Sequence, residues 1–518
     1  MKRSTIGIEE LTEKARKELQ ILNYIEPVRG MILIDNLQWL GIGYHFEDEI
    51  NLWLDKLSEW DCGEDDLHAT ALRFRLLRQQ LRPTSCGSVF ENILEDHKKR
   101  KSKPSLNQVE GLLNLYEASY LGASGEEILS EAMKFAETQL ASLVNGTCGT
   151  ADGNLYRRIS LALELPRHHR MVRLESRRHI EDCSTHIHCS PSMHLVELAK
   201  LDYNRVQLLH KMELEEFRRW WRQLGLVGEL SFARDPEAEC FFWVVGCFPD
   251  PRHSGVRMEM AKTIAILITI DDVFDKHGTI DELLLFTHAV QRWDVDAIEN
   301  LPDYMKICYM ALYKTTTEIA QKILKQHGID VLHFLSRAWI DTIEAYMIEA
   351  KWFQNGQIPS VEDYIENGTT TGGSYMALVH AFFLMGEGIT NHNMQLMRKP
   401  YPKLFSTSGR ILRLWDDLGT SKEEQDFGDN SSLIPVLMKE KNLSSEDEAR
   451  RCIKQFIRQS WGELNTNLLE SNIWPLSLIN VCFNMCRTSE AIYHHQESSY
   501  LSSFKRTAKI KLLEPITN

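Results

Sequence analysis

Two short acidic segments carry the residue types best suited to chemistry. The first closes an apolar run, Ile264-Ala-Ile-Leu-Ile-Thr-Ile270 leading directly into Asp271-Asp272-Val-Phe-Asp275. On a continuing α-helix Asp271 and Asp275 would project about 40° apart and face the same way. Three anions at the negative end of a helix dipole repel one another and need compensating cations. Hard divalent ions, Mg2+ above all, take oxygen ligands of this kind and share them with substrate phosphates. The competing reading is a solvated helix end that happens to be acidic. The second segment, Arg413-Leu-Trp-Asp416-Asp417-Leu-Gly-Thr420-Ser-Lys-Glu-Glu424, weighs against it. Asp416, Thr420 and Glu424 recur every four residues, lining two carboxylates and a hydroxyl along one stripe as a chelating face. Arg413 stands three residues earlier on the same side, where its fork suits a pair of diphosphate oxygens. A merely charged amphipathic helix accounts for the acidity of this stretch but not for the order of its residues.

Elements that could position these groups are written along the whole chain. Of 518 residues only 28 are glycine and 15 proline, against roughly 36 and 26 at average usage, so turns are few and helices long. Helical spacing recurs at Leu67, Ala71, Phe74 and Leu77, and again at Leu112, Leu115, Tyr116 and Ser119. No dinucleotide or P-loop glycine pattern and no fixed-period repeat stands out. The expected fold is all-α in two helical domains, residues 1–190 and 191–518, parted near Cys189-Ser-Pro-Ser192. Lys and Arg number 59 against 73 Asp and Glu, a net charge of −14, which argues against a grip on nucleic acid or acidic lipid. No apolar run reaches the length of a membrane span. Glu9, Glu10, Glu13 and Glu18 in the first twenty residues argue against a transit or signal peptide, and eleven scattered cysteines without a CxxC pair suit reduced thiols. Together these predict a cytoplasmic protein, a monomer or weak homodimer. His179, Cys183, His186, His188 and Cys189 form a dense cluster whose spacing fits no paired zinc framework; the segment reads instead as a polar interdomain connection.

Taken together, the two acidic segments resemble the DDxxD and NSE/DTE metal motifs of class I terpene synthases of the plant type. The resemblance extends along the chain. Ile34-Asp-Asn-Leu-Gln-Trp-Leu-Gly-Ile-Gly-Tyr-His-Phe46, Asp66-Leu-His-Ala-Thr-Ala-Leu-Arg-Phe-Arg-Leu-Leu-Arg-Gln79 and Leu113-Asn-Leu-Tyr116-Glu-Ala-Ser119 look like the amino-terminal domain of that family. Leu198-Ala-Lys-Leu-Asp-Tyr-Asn204, Trp220-Trp-Arg-Gln-Leu-Gly225 and Phe232-Ala-Arg-Asp235 look like its carboxy-terminal domain. The resemblance implies a catalytic class I bundle preceded by a relict α-barrel domain. It implies that Asp271, Asp272 and Asp275 bind one pair of Mg2+ ions, that Asp416, Thr420 and Glu424 bind a third, and that Mn2+ can substitute. Arg234 and Arg413 would hold the departing diphosphate of geranyl or farnesyl diphosphate. The allylic cation then needs aromatic faces, and Trp243 and Tyr346 look like positions lining the family's pocket. For Tyr346 core and pocket stay equally open, as do an ordinary turn and a cation-steering break at Thr371-Gly-Gly-Ser374.

The chain also departs from the family's pattern. Arg234-Asp235-Pro236 stands where Arg-x-Arg is usual, and no basic residue lies between Gln425 and Met438. The tandem arginines of cyclising monoterpene synthases and the DxDD acid of class II cyclases are both absent. These features, with Leu301-Pro-Asp-Tyr-Met-Lys-Ile-Cys308, look most like the plant clade making acyclic tertiary alcohols, the linalool and nerolidol synthases. With a cytosolic location the substrate would be farnesyl diphosphate and the product nerolidol. The alternatives are a cyclic or olefinic product and a non-catalytic helical interaction protein.

Overall fold

Helices follow one another with little between them, because so few residues can break them. A computed structural model describes residues 2–22, 26–60, 66–82, 84, 90–92, 94–95, 105–145, 153–185, 191–426, 432–470, 473–494 and 512–516, and among these no strand occurs. The chain forms two compact units. One comprises Met1–Gln207, Leu468–Glu470 and Glu514–Asn518; the other comprises Leu208–Asn467 and Ser471–Leu513.

The first unit contains, counting helices of eight residues or more, α1 (Lys2–Leu22), α2 (Pro27–Trp39), α3 (Glu47–Glu59), α4 (Leu67–Gln79), α5 (Leu106–Ser119), α6 (Glu127–Asn145), α7 (Gly153–Glu164) and α8 (Val172–Thr185). A Ser105–Gln108 capping box starts α5, satisfying backbone donors that the helix leaves free. Met31, Leu37, Trp53 and Leu72 belong to one apolar cluster, and Phe74, Leu115, Tyr116 and Leu140 to a second. The polar centre of this unit is an ion network. Asp35 on α2 accepts from Arg75 and Arg167, each at 2.8 Å. Although burial pushes its carboxyl up, the two guanidiniums hold it well below the usual carboxylate range. The expected polar connection begins as buried helix instead. His179 on α8 stacks on Trp39 with ring centres 3.9 Å apart, and Cys183 is buried one turn on. Burial lowers the His179 imidazole to about 3, so it packs as a neutral ring. His186, His188 and Cys189 lie outside the described residues.

Helix α9 (Met193–Leu224) begins just after Pro191, and the boundary between the units falls within it, between Gln207 and Leu208. The second unit continues with α10 (Glu237–Cys247), α11 (Ser254–Asp272), α12 (Ile280–Arg292), α13 (Asp303–His327), α14 (Leu332–Asn355), α15 (Val361–Thr371), α16 (Ser374–Met385), α17 (Lys403–Asp426), α18 (Leu433–Glu440), α19 (Glu446–Glu470) and α20 (Leu476–Tyr493). Helix α11 is buried along most of its length, its Arg257 ion-paired with Glu213. Helices α10, α13 and α16 pack against it, while α17 packs against α15, α16 and α20. Thr371-Gly372-Gly373-Ser374 ends α15 and starts α16. Gly373 adopts φ +71°, where a side chain is disfavoured, and a Cβ there would lie 2.2 Å from Leu267 of α11.

Candidate metal and diphosphate site

Helix α11 does not run on regularly through the first acidic motif. From Val273 to His277 it widens into a single π turn, closed by Gly278 N–H donating to the Val273 carbonyl at 2.8 Å. Such turns insert a residue into the helical register and so re-aim the side chains they carry. The three aspartates accordingly have three environments. Asp275 is exposed on the π turn. Asp271 is half-buried, with Arg234 Nη2 3.1 Å from its Oδ2 and the Tyr346 hydroxyl bonded to it. Asp272 is fully buried, accepting from the Arg234 backbone N–H at 2.9 Å and from Lys276 Nζ at 2.8 Å.

Arg234 reaches this position from the loop ahead of α10. Asp235 accepts from the Glu237 backbone N–H at 3.1 Å, and Pro236 sits at the helix start, a place where a missing N–H costs nothing. The proline that departs from the family pattern thus begins the helix bearing Trp243. That indole is buried on α10, one turn beyond Glu239. Tyr346 is buried on α14, its ring stacked on Phe274 at 5.3 Å and its hydroxyl turned to Asp271. Burial and the Asp271 charge push the phenol far up, so it remains a hydrogen-bond donor.

The second motif lies on α17. Thr420 donates its hydroxyl to the Asp416 carbonyl at 2.9 Å. Glu424 follows on the same helix, its side chain outside the description. Arg413 Nη1 stands 3.9 Å from Asp416, and Nη2 stands 3.1 Å from Asp417.

The two motifs converge. Asp271 is pushed up by burial, and Asp272 and Asp416 add like charge against the opposing pull of Arg234. Glu239 is raised by burial and by the fields of Asp271, Asp416 and Asp272. Glu349 is raised by burial too, between Arg413 on one side and Asp271 on the other. Neither glutamate belongs to a motif. The signal for both was helical register: Glu349 is three residues after Tyr346, and Glu239 four before Trp243. Among the described residues no three His, Cys, Asp or Glu side chains already form a cage for an ion. The donor set nevertheless suits a hard divalent cation, being carboxylate and hydroxyl oxygen without thiolate or imidazole. The protein's own cations, Arg234, Lys276 and Arg413, meanwhile neutralise part of the crowded charge.

Comparison with known proteins gives this arrangement a family. Residues 2–163 match the model of the terpene synthase N-terminal domain, and residues 222–463 that of the terpene synthase family metal binding domain. Geraniol synthase of Ocimum basilicum is 50% identical over 97% of this chain and 85% of its own length. R-linalool synthase of the same plant is 47% identical over 99% of this chain and 88% of its own. Isoprene synthase from grey poplar, in complex with three Mg2+ ions and dimethylallyl-S-thiolodiphosphate, superposes with a TM-score of 0.87 at 34% identity, over 98% of this chain and 97% of that one. The chain belongs to the terpene synthase family, as a class I enzyme with a metal-binding domain.

One expectation is overturned by these relatives. Both plant synthases are chloroplastic by name, against the cytoplasmic location expected from the acid-rich first residues. Acid-rich opening residues do not speak to a leader here, since the chain spans only 85% and 88% of those proteins. The preference for farnesyl diphosphate rested on that location and falls with it.

Proposed function

We propose that this chain converts geranyl diphosphate to an acyclic tertiary alcohol of the linalool type, using Mg2+ or Mn2+ held between Asp271 and Asp275 on one side and Asp416, Thr420 and Glu424 on the other. The observation that carries the proposal is the convergence of Asp271 and Asp416, each beside an arginine, on two helices far apart in sequence. The relatives' names support a ten-carbon substrate, and the three ions in the isoprene synthase complex support the same number here. Bound divalent ions would supply electrostatic stabilisation of the leaving group, with water and phosphate oxygens completing their coordination.

This chain's residues account for the rest. Arg234, exchanging Asp271 for phosphate oxygen, and Arg413 stabilise the charge that grows on the diphosphate as the allylic C–O bond breaks and its electron pair leaves with oxygen. Asp272 is already engaged by Lys276 and the Arg234 amide, so it steadies the loop and the π turn. Tyr346 orients Asp271 and, with Phe274 and Trp243, offers aromatic surface to the cation, an attraction of about 2 kcal/mol when desolvated. Water then forms a C–O bond at the tertiary carbon, where substituents stabilise positive charge best, and its surplus proton passes to the departed diphosphate or to solvent. Capture at the primary carbon would give geraniol, and the geraniol synthase relative keeps that second outcome in view.

Purified protein incubated with Mg2+ and either geranyl or farnesyl diphosphate, followed by gas chromatography, tests the proposal. Linalool from the ten-carbon substrate is expected. Geraniol, a cyclic product or an olefin as the main volatile overturns the product assignment; faster turnover of farnesyl diphosphate overturns the substrate assignment.

A further inference from the structure

Arg413 is buried far more completely than a surface ligand for phosphate needs to be, and its surroundings are specific. Tyr364 on α15 donates its hydroxyl to Asp417 Oδ1 at 2.8 Å and also accepts from Arg413 Nη2. The same Nη2 stands 3.1 Å from Asp417 Oδ1, and the guanidinium lies 5.2 Å from the centre of the Tyr364 ring. One corner of the fork is therefore held by three contacts. The remaining donors are not: Nη1 is 3.9 Å from Asp416, beyond hydrogen-bond range, and Nε is out of reach of solvent beside Gly368, without an acceptor. Nη1 is thus the donor left to a ligand's acceptor on the Asp416 side.

The helix facing Arg413 has been cut away to admit it. Gly368 lies inside α15, one turn after Tyr364, where glycine costs about 1 kcal/mol relative to alanine. A Cβ at this position would stand 3.0 Å from Arg413 Nε and 3.1 Å from its Cγ and Cδ. Asp417 is fully buried, with its second oxygen, Oδ2, unpaired. A carboxylate in that state is a poor contributor to stability but a firm partner for a fixed cation.

We propose that Tyr364, Gly368 and Asp417 are a positioning set for Arg413, pinning it through Nη2 so that Nη1 faces the Asp416 side ready for a diphosphate oxygen. None of the three need touch substrate. The inference rests on the reading of Arg413 as a diphosphate ligand and says how that ligand is aimed. With proline at position 236 leaving Arg234 without a second arginine beside it, the aim of Arg413 carries more of the burden.

The test is a double-mutant cycle on the full chain with Tyr364→Phe, Arg413→Lys and the pair. Its readouts are kcat and KM for geranyl diphosphate, the inhibition constant of inorganic diphosphate with Mg2+, and thermal melting. Tyr364→Phe removes one oxygen and keeps the ring. Misaiming of a clamp predicts a loss of kcat of roughly 10–100-fold and a parallel weakening of inorganic diphosphate, with the melting curve little changed. Because Tyr364 acts through Arg413, its replacement should cost under about 3-fold once position 413 is lysine, whose point charge cannot use the cradle. Wild-type kcat and diphosphate affinity in Tyr364→Phe overturn the inference, as do losses that multiply in full in the pair. If Tyr364→Phe fails to fold, Gly368→Ala takes its place in the same cycle with the same two outcomes. If Arg413→Lys alone matches wild type in both kinetic readouts, the diphosphate role of Arg413 falls, and the positioning set with it.

Discussion

Asp271 and Asp272 are neighbours with opposite physical situations, and substitution should separate them. Asp271 sits among Asp272, Asp416 and Glu239, so in chelator its charge is strained by like neighbours. Asp271→Asn should therefore melt no lower than wild type without metal, while kcat falls on the order of 100-fold or more. Asp272 instead satisfies Lys276 and the Arg234 amide. Asp272→Asn should lower stability by about 1–3 kcal/mol, visible as a lower melting temperature even in chelator. Melting and steady-state kinetics on the two variants check both outcomes; equal behaviour would contradict the distinction. At this scale the sequence was informative where one helix carries a pattern. Asp416, Thr420 and Glu424 recur every four residues on α17, so the sequence alone puts them forward together. The contact of Tyr364 with Asp417 could not be read this way, because it joins two helices and no spacing encodes it.

At the scale of elements, the departures from regular helix lie where the candidate chemistry lies. A straight helix through Asp275 was the natural expectation, and nothing in Val-Phe-Asp-Lys-His announces a π turn. The glycine pair at 372–373 did announce a break, though not its cause, which is the left-handed Gly373 beneath Leu267. Gly373→Ala should cost about 1–2 kcal/mol of stability through that backbone conformation alone, read as a drop in melting temperature. Helix α20 supplies a pH-dependent element. Burial pushes the Glu490 carboxyl up to about 8 from its ordinary 4.5. At low pH folded and unfolded chains both carry the proton. As pH rises the unfolded carboxyl ionises first, so this group's contribution to stability is lost progressively toward about pH 8. Glu490→Gln should melt with wild type near pH 5, roughly where linkage begins, and increasingly above it at pH 7 to 9. Parallel melting curves across that range would contradict the assignment.

For the molecule as a whole, low glycine and proline content and recurrent helical spacing were enough to foresee an all-α chain. The compartment was not legible, because the chain spans 85% and 88% of its chloroplastic relatives' length and its opening residues do not speak for the rest. The central claim is that Asp271 and Asp416 face one another across a shared set of divalent ions that bind the diphosphate of a prenyl substrate. Turnover of geranyl diphosphate by wild type, Asp271→Asn and Asp416→Asn, each with Mg2+ and with EDTA, tests it most directly. The account predicts product only from wild type with metal, and at least about 100-fold less from either variant. Product formed by wild type in EDTA, or undiminished product from either variant, would contradict it.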